Sequence, residues 1–403
     1  MVTPLHGVKV IDLSQGYESY AGMMLAEFGA SVVKVEPLAG DYMRRLGPPF
    51  IAGESAAFLG VNRGKRGLAL FWDEKEEARQ VLRRLIARAD VFITSLYPDE
   101  AEEMGLTYPR LEELNSRLVY CSITPYGDEG PYANTRASEL EMQGMFGHWR
   151  YLGQPKFHIT EEPPLRSGVY LAAIGAAIFA YQGIIAALFH RLRTGEGQKV
   201  AVNKAGSLNS MRTINFAAES EPDEWEGHNV AHQRGPFQGT KTKDGRRVYW
   251  GFSGEESRKR IPEFLQALGL ADDPRVKGHD PMLFYRSPEI TAIIDQKFAE
   301  MPLEEVVFLL RSFDAQSVPM HTFSTMSRDP QALAMDMVAE FQHPTAGRLK
   351  TMGFPWEFSE SPPVVGTPPV LGQHTREVLE EGGLSSQEID DLAKAGLISI
   401  FKR

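Results

Sequence analysis

Short apolar segments alternate with amphipathic ones through the first third of the chain. Nearly continuous runs of apolar residues predict buried β-strands at 8–13, 31–35, 67–71, 91–94 and 118–123. Between them, the spacing of apolar residues predicts helices over 20–28 and 73–87, and the first of these ends at Gly29. Strands that alternate with helices favour βαβ units and a mostly parallel sheet. We therefore predict an α/β fold whose ligands bind at the carboxyl ends of the strands.

The longest uncharged segment is VYLAAIGAAIFAYQGIIAALF, at residues 169–189. Its length would suffice to cross a membrane. It is rich in Ala and Gly, however, and it contains Gln182, so it is less hydrophobic than a typical membrane span. We expect instead a helix that is apolar all round because it is buried on all sides. Its end is marked by Arg191 and Arg193, near the negative end of the helix dipole, and then by Gly195.

Residues 219–226 form an acidic, loop-like segment at which we predict a break in the chain's organisation. Beyond it, GTKTKDGRRVYWGF predicts a hairpin that turns at Asp244 and Gly245. Helices are predicted at 260–268, 288–299, 303–313 and 375–397, with short strands and a Pro-rich stretch before the last of them. We predict a first domain over 1–224, a smaller α+β domain over 225–330, and a C-terminal segment over 331–403.

Composition narrows the class of function. The 403 residues carry a net charge of −10, which argues against nucleic-acid binding and against an anionic membrane surface. Cys121 is the only cysteine, so a disulfide framework and a CxxC metal site are excluded, and no metal-binding histidine spacing occurs. The first strand is not followed by GxGxxG, and no phosphate-binding loop motif is found. The N-terminus lacks the features of a signal peptide, so we expect a cytoplasmic protein.

Motifs along almost the whole chain resemble the class III CoA-transferases of the CaiB/BaiF type. The resemblance begins with PLHGVKVIDLS, EFGASVVKVEP and NRGKRGLAL, and continues with ARADVFITSLYPDEAEEMGL and RLVYCSITPYGDEGPYA. It ends with GIIAALFHRLRTGEGQKVAV and PPVLGQHTREVL. Known members include formyl-CoA transferase, carnitine CoA-transferase and the α-methylacyl-CoA racemases. The order and spacing of these segments make the resemblance specific.

The resemblance implies a fold, an assembly and a reaction. It implies a large Rossmann-like domain built from both chain ends, a small middle domain, and two chains interlocked as a dimer. In the transferases, an aspartate attacks the acyl-CoA thioester and forms a mixed anhydride and then an enzyme-bound CoA thioester. CoA is thus a substrate, and no covalently bound cofactor or metal is implied.

The position of that aspartate is occupied here by Ala173, counted back from Gly183. Residues 168–177 contain no Asp, Glu, Ser or Cys, so a small shift of the alignment does not supply a nucleophile. One acid remains nearby, Glu139, four residues before Gln143. The racemases have a His–Asp pair in this region, and Ser138 replaces the histidine here. No catalytic residue is therefore assigned, and Glu139 stays a candidate.

The positions that contact CoA in the family are altered as well. They correspond to Leu70, Ser95, Leu96 and Tyr97, and the small residues after the first strand are replaced by Tyr17, Glu18, Ser19 and Tyr20. At a position where the family has an arginine, this chain has Glu103. Where the family has a basic residue, this chain has Pro37 and Leu38. Added negative charge opposes the binding of a polyanion, which argues against CoA binding to this chain.

These departures favour a non-catalytic subunit that interlocks with a catalytic sister subunit. One two-subunit enzyme of the family moves CoA from succinyl-CoA to (R)-2-benzylsuccinate in anaerobic toluene degradation, and the chain resembles its partner subunit. Two alternatives stay open: an active homodimer with a displaced carboxylate, Glu139 or Glu18, and a racemase-like enzyme.

Overall fold

The computed structural model describes residues 2–146, 168–211, 239–277 and 288–401. The chain divides into two compact units. One comprises Met1–Leu152, Pro164–Ser220 and Asp336–Arg403, and the other comprises Gly153–Pro163 and Glu221–Met335. The predicted break at 219–226 lies outside the described residues, and the predicted domain bounds stay a prediction.

The strands of the described residues are short, as the sequence pattern indicates. In chain order they are β1 Lys9–Asp12, β2 Ser31–Glu36, β3 Phe50–Ile51, β4 Glu54–Ser55, β5 Arg66–Leu70, β6 Val91–Thr94, β7 Val119–Thr124, β8 Gln198–Asn203, β9 Thr240–Lys241, β10 Arg247–Gly251, β11 Gln316–Pro319, β12 Val338–His343, β13 Gly347–Met352 and β14 Ile398–Ser399.

The helices follow the same chain order. They are α1 Tyr20–Glu27, α2 Ala56–Val61, α3 Glu76–Ile86, α4 Pro98–Glu103, α5 Tyr108–Leu114, α6 Glu139–Met145, α7 Leu171–Thr194, α8 Lys204–Ser210, α9 Glu255–Lys259, α10 Ile261–Ala267, α11 Pro288–Phe298, α12 Leu303–Ser312, α13 Phe323–Met326, α14 Pro330–Ala334, α15 Thr375–Glu381 and α16 Ser386–Lys394, with 3-10 helices at Gly16–Ser19 and Tyr42–Arg45.

The first unit is built on a seven-stranded sheet in the order β14-β5-β2-β1-β6-β7-β8. All neighbouring strands pair in parallel except β14, which pairs with β5 in antiparallel fashion. Every residue of β6 and β7 is buried, as expected for strands covered on both faces. The prediction of an α/β fold with a mostly parallel sheet is confirmed, although the strands β8 and β14 were not foreseen.

The prediction of one continuous helix at residues 375–397 is wrong. The structure has two helices there, α15 and α16, separated by Gly382 and Gly383. Gly383 has φ +85°, a backbone conformation that side-chain-bearing residues rarely adopt. The glycine pair therefore ends the first helix, which the helical spacing of apolar residues alone did not indicate.

The long apolar segment forms α7, which packs against β7, β8, α1 and α8. It is the one described helix long and apolar enough to span a membrane, and 50% of the relevant window is buried inside the fold. Burial is confined to one stripe, so the expectation of burial on all sides is wrong for the single chain. Phe189 and Leu192 on the opposite face are 55% and 80% exposed. Gly195 ends the helix with φ +85°, as predicted.

Two buried ion pairs lie where β1, β2 and β5 meet the 3-10 helix Gly16–Ser19. Lys65 Nζ lies 2.7 Å from Asp12 Oδ2, and Lys34 Nζ lies 2.8 Å from Asp41 Oδ2. Ser19 joins the pairs, because its carbonyl oxygen accepts from Lys65 at 2.6 Å and its hydroxyl accepts from Lys34 at 2.9 Å. Each buried charge thus has a partner and further hydrogen bonds, which makes its burial tolerable. The network holds the 3-10 helix at the carboxyl edge of the sheet.

The second unit has its own core. The strands β9, β10 and β11 form an antiparallel sheet, and Gly245 turns the β9–β10 hairpin with φ +80°. Trp250 packs against Phe264 and Phe298, with ring centroids 6.1 and 5.4 Å apart. The predicted hairpin and the three predicted helices of this region are confirmed, because turn chemistry and helical spacing are local signals.

Replacement of Lys65 tests the buried network. We expect Lys65→Ala to lower the free energy of unfolding by about 3–5 kcal/mol, because Asp12 is left charged and buried without its partner. The measurement is urea unfolding followed by circular dichroism. The control is Arg110→Ala, whose pair with Glu102 has side chains 59% and 60% exposed; it should cost about 1 kcal/mol or less. Equal losses for the two variants would contradict this account.

Candidate functional site

A cavity of about 310 Å³ opens in the first unit at the carboxyl edge of the sheet. Its described lining comes from the 3-10 helices, from α6 and the residues before it, from the start of α7 and from the start of α8: Tyr17, Glu18, Tyr42, Leu46, Ala137, Ser138, Glu139, Leu140, Gly168, Val169, Tyr170, Ala173 and Lys204. This is the place where parallel α/β sheets bind ligands. Both Ala173 and Glu139 lie here.

Ala173 is the third residue of α7, and its backbone is held by Glu139. The N–H of Ala172 donates to Glu139 Oε1 at 2.8 Å, and the N–H of Ala173 donates to Glu139 Oε2 at 2.9 Å. Both donors belong to the first turn of the helix, which has no intrahelical acceptor for them. A carboxylate at this end of a helix is also favoured by the helix dipole. Glu139 therefore caps the 24-residue helix α7.

The position of Glu139 is set by the start of α6. Ser138 is the N-cap of α6 and accepts from the N–H of Glu141 at 3.3 Å, while Glu141 accepts from the N–H of Ser138 at 2.6 Å. One turn later, the amide of Gln143 donates to Glu139 Oε1 at 2.7 Å and to the Val169 carbonyl at 2.9 Å. The carboxylate is thus oriented by its own helix before it reaches α7.

A second acid lines the cavity as half of an ion pair. Glu18 lies in the 3-10 helix after β1, and Lys204 begins α8 directly after β8. The two side chains form a salt bridge in which Lys204 is 12% and Glu18 is 7% exposed. Burial alone would lower the pKa of Lys204, but the charge of Glu18 outweighs it, so the pKa is raised. Lys204 is therefore charged at neutral pH and is engaged within the chain.

Tyrosine rings form the apolar part of the cavity. Tyr17 and Tyr170 stack with ring centroids 3.9 Å apart, and Tyr42 lines the cavity beside them. Burial, together with the neighbouring Tyr170, raises the pKa of Tyr17 to about 12. Its hydroxyl is neutral at physiological pH and serves only as a hydrogen-bonding group.

The residues that the resemblance assigns to CoA-contact positions lie at the same edge of the sheet, although none is among the described lining residues of the cavity. Leu70 is fully buried at the end of β5, and Leu96 packs partly buried against the same core. The Ser95 hydroxyl accepts a backbone N–H at 2.9 Å from the segment after β1. Tyr97 precedes α4, and the guanidinium carbon of Arg136 lies 3.9 Å from the centroid of its ring.

Sequence reasoning missed Lys204, Tyr42 and Tyr170 as lining residues. Lys204 follows a β-strand that was not predicted, so its place at the carboxyl edge was not visible. The strand itself, QKVAVN, alternates apolar and polar residues, and that signal could have located it.

Among the described residues, no group of three or more His, Cys, Asp or Glu could hold a metal ion.

Comparison with known proteins gives the class of protein. The model of CoA-transferase family III matches residues 5–375. The chain is 32% identical to the succinyl-CoA:glutarate CoA-transferase of Mus musculus, over 94% of this chain and 86% of the relative. It is 29% identical to the formyl-CoA:oxalate CoA-transferase of Streptomyces avermitilis, over 99% of this chain and 100% of the relative.

A solved structure agrees with this result. The CaiB/BaiF family protein from Brucella suis superposes with a TM-score of 0.79 at 26% identity, covering 95% of this chain and 100% of that one. The chain therefore belongs to CoA-transferase family III, and the resemblance stated from the sequence motifs is confirmed. The suggested identity with one subunit of a heteromeric enzyme stays a prediction.

Truncation of Glu139 tests its role at α7. We expect Glu139→Ala to destabilise the protein by about 1–2 kcal/mol, because two N–H groups of the first turn lose their acceptor. Glu139→Gln should cost less, since its amide oxygen can still accept one of these bonds. Chemical unfolding followed by circular dichroism gives the values. Glu113→Ala, on an exposed position of α5, is the control and should stay within about 0.5 kcal/mol. A Glu139→Ala variant as stable as this control would refute the capping role.

Proposed function

We propose that this chain is the non-catalytic subunit of a heteromeric class III CoA-transferase. The observation that carries the proposal is the alanine at position 173, which lines the cavity where the family places its aspartate. A methyl group cannot attack a thioester or form an anhydride, whereas a carboxylate can do both. At this position an aspartate would lie in the first turn of a long helix, where the dipole favours its ionised form.

The two acids in the cavity are poor replacements for that aspartate. The Glu139 carboxylate accepts hydrogen bonds on both oxygens, from two backbone N–H groups and from Gln143. The Glu18 carboxylate is paired with Lys204. Interactions that stabilise the carboxylate anion reduce its tendency to share electrons with a carbonyl carbon. Both groups are therefore better suited to structure than to nucleophilic attack.

Reactivity in the proposed assembly comes from a sister chain that carries the aspartate. That carboxylate attacks the acyl-CoA carbonyl and expels CoA as a thiolate, which leaves a mixed anhydride. The thiolate then attacks the aspartyl carbonyl, which releases the donor acid and leaves an aspartyl-CoA thioester. The acceptor acid reverses these two steps and leaves as its CoA ester. The exposed apolar face of α7, with Phe189 and Leu192, offers a surface that a partner chain would cover.

As donor we propose succinyl-CoA, and as acceptor a dicarboxylic acid, with (R)-2-benzylsuccinate of anaerobic toluene degradation as the specific case. The relatives named for succinyl-CoA and glutarate support the dicarboxylate. We place the assembly in the cytoplasm, in keeping with the net charge of −10.

The dependence on a sister chain can be tested by isolation and assay. The tagged chain is purified from its source, and native mass spectrometry identifies its partner. We expect a complex with a relative that carries the aspartate. The lone chain should transfer CoA from succinyl-CoA to glutarate or (R)-2-benzylsuccinate at least about 10³-fold more slowly than the complex. The matched control is the complex in which the sister's aspartate is changed to asparagine. Full turnover by the lone chain would contradict the proposal.

A second candidate is an active homodimer with a displaced nucleophile, favoured by the location of both Glu139 and Glu18 in the cavity. In that case, incubation of the lone chain with succinyl-CoA followed by borohydride should label one of the two residues. Peptide mass spectrometry identifies the labelled side chain. The label should disappear in Glu139→Gln or in Glu18→Gln, according to which residue forms the thioester. Our preferred function predicts no label in the lone chain.

A further inference from the structure

The ion pair of Glu18 and Lys204 lies inside the cavity itself. Both residues line it, and both side chains are almost fully withdrawn from solvent. Gly16 lies at the other side of the pair with φ +79°, and a β-carbon there would meet the Tyr42 hydroxyl and the Glu18 carboxylate. The Glu18 side chain is therefore packed into the cavity on one side and bound to a lysine on the other.

The chemistry of Lys204 is that of a carboxylate receptor. A partly buried ammonium group beside a cavity binds a carboxylate through short, charge-assisted hydrogen bonds. Here such a carboxylate is already supplied by the chain's own Glu18. Glu139 also acts on Lys204 through its charge, but its carboxylate is held at the start of α7 and by Gln143, and the salt bridge of Lys204 is made with Glu18. Among the described residues, the salt bridge of Lys204 is made with Glu18, which itself lines the cavity.

We propose that Glu18 is an internal ligand that occupies a latent carboxylate-binding site centred on Lys204. The inference rests on the proposed function, because it takes the cavity to be the acyl site of the family. In the native chain the site is closed to carboxylic acids, since a second carboxylate would have to displace Glu18 and lie beside its charge. Removal of the Glu18 carboxylate leaves a cavity lined by tyrosine rings and by a lysine that has lost its salt-bridge partner. That combination fits a small dicarboxylic acid.

Equilibrium binding of glutarate to the purified full-length chain tests the proposal. Isothermal titration calorimetry compares the native chain with Glu18→Ala, at neutral pH and moderate ionic strength. We expect the affinity for glutarate to rise by about 10- to 100-fold in Glu18→Ala. This is the gain expected when glutarate forms one new hydrogen bond with the charged Lys204. Glutaramide, the uncharged analogue, should gain little. The Glu18→Ala chain with Lys204→Met in addition should return to the native affinity.

Two further variants distinguish the effect of the Glu18 charge from the effects of side-chain volume and of misfolding. Glu18→Gln keeps the volume of the side chain and removes its charge, so it should bind glutarate more tightly than the native chain even if Glu18→Ala does not fold. Asp128→Ala releases Lys199 from a more exposed 2.8 Å ion pair elsewhere in the unit, and it should leave the affinity for glutarate unchanged. Circular dichroism verifies the fold of each variant.

The proposal is overturned if neither Glu18 variant binds glutarate more tightly than the native chain. It is also overturned if the gain persists after Lys204→Met, or if glutaramide gains as much as glutarate. These outcomes do not depend on turnover, so they are separable from the proposed function. If the lone chain transferred CoA, the proposal that it lacks a nucleophile would be refuted. The comparison of glutarate affinities between the native chain and the Glu18 variants would still be interpretable.

Discussion

The contact between the Glu139 carboxylate and the first turn of α7 is the interaction on which the site depends. The amino end of a long helix presents N–H groups without intrahelical acceptors, and two of them find one carboxylate. This contact joins α6 to α7 and fixes the backbone at Ala173. It also brings the positive end of the helix dipole to Ala173, the position at which the proposed function takes the nucleophile to be lost. The backbone around Ala173 is therefore well bonded.

The described lining of the cavity combines tyrosine rings with a buried ion pair. In a transferase, the space beside the nucleophile must admit a thioester and two acids in turn. Here it holds Tyr17, Glu18, Tyr42 and Tyr170, and its one lining lysine, among the described residues, is bound to Glu18. Under the proposed function, we expect this bulk and negative charge to oppose an acyl-CoA, the first by steric hindrance and the second by repulsion of a polyanion. The fold thus positions an internal ion pair in this cavity.

The buried network beneath the site explains why it keeps its shape. The pairs of Lys65 with Asp12 and of Lys34 with Asp41 anchor the 3-10 helix Gly16–Ser19 through Ser19. That helix carries Tyr17 and Glu18 into the cavity. Buried pairs tolerate the loss of a partner poorly, so a displacement of this segment that broke them would cost several kcal/mol. The orientation of Glu18 toward Lys204 is accordingly a property of the packed core as much as of the pair itself.

The sequence by itself determined the α/β class, most strand positions, the family and the alanine at 173, because these depend on local periodicity or on motif order. Only the tertiary structure decided that Glu139 caps α7, that Glu18 meets Lys204, and that one face of α7 is exposed. Each of these depends on residues distant in sequence, whose approach is set by packing and not by local pattern. The split of the last predicted helix at Gly382 and Gly383 required the observed backbone conformation. Side-chain pairing within a cavity is decided by geometry and burial, which no linear pattern encodes.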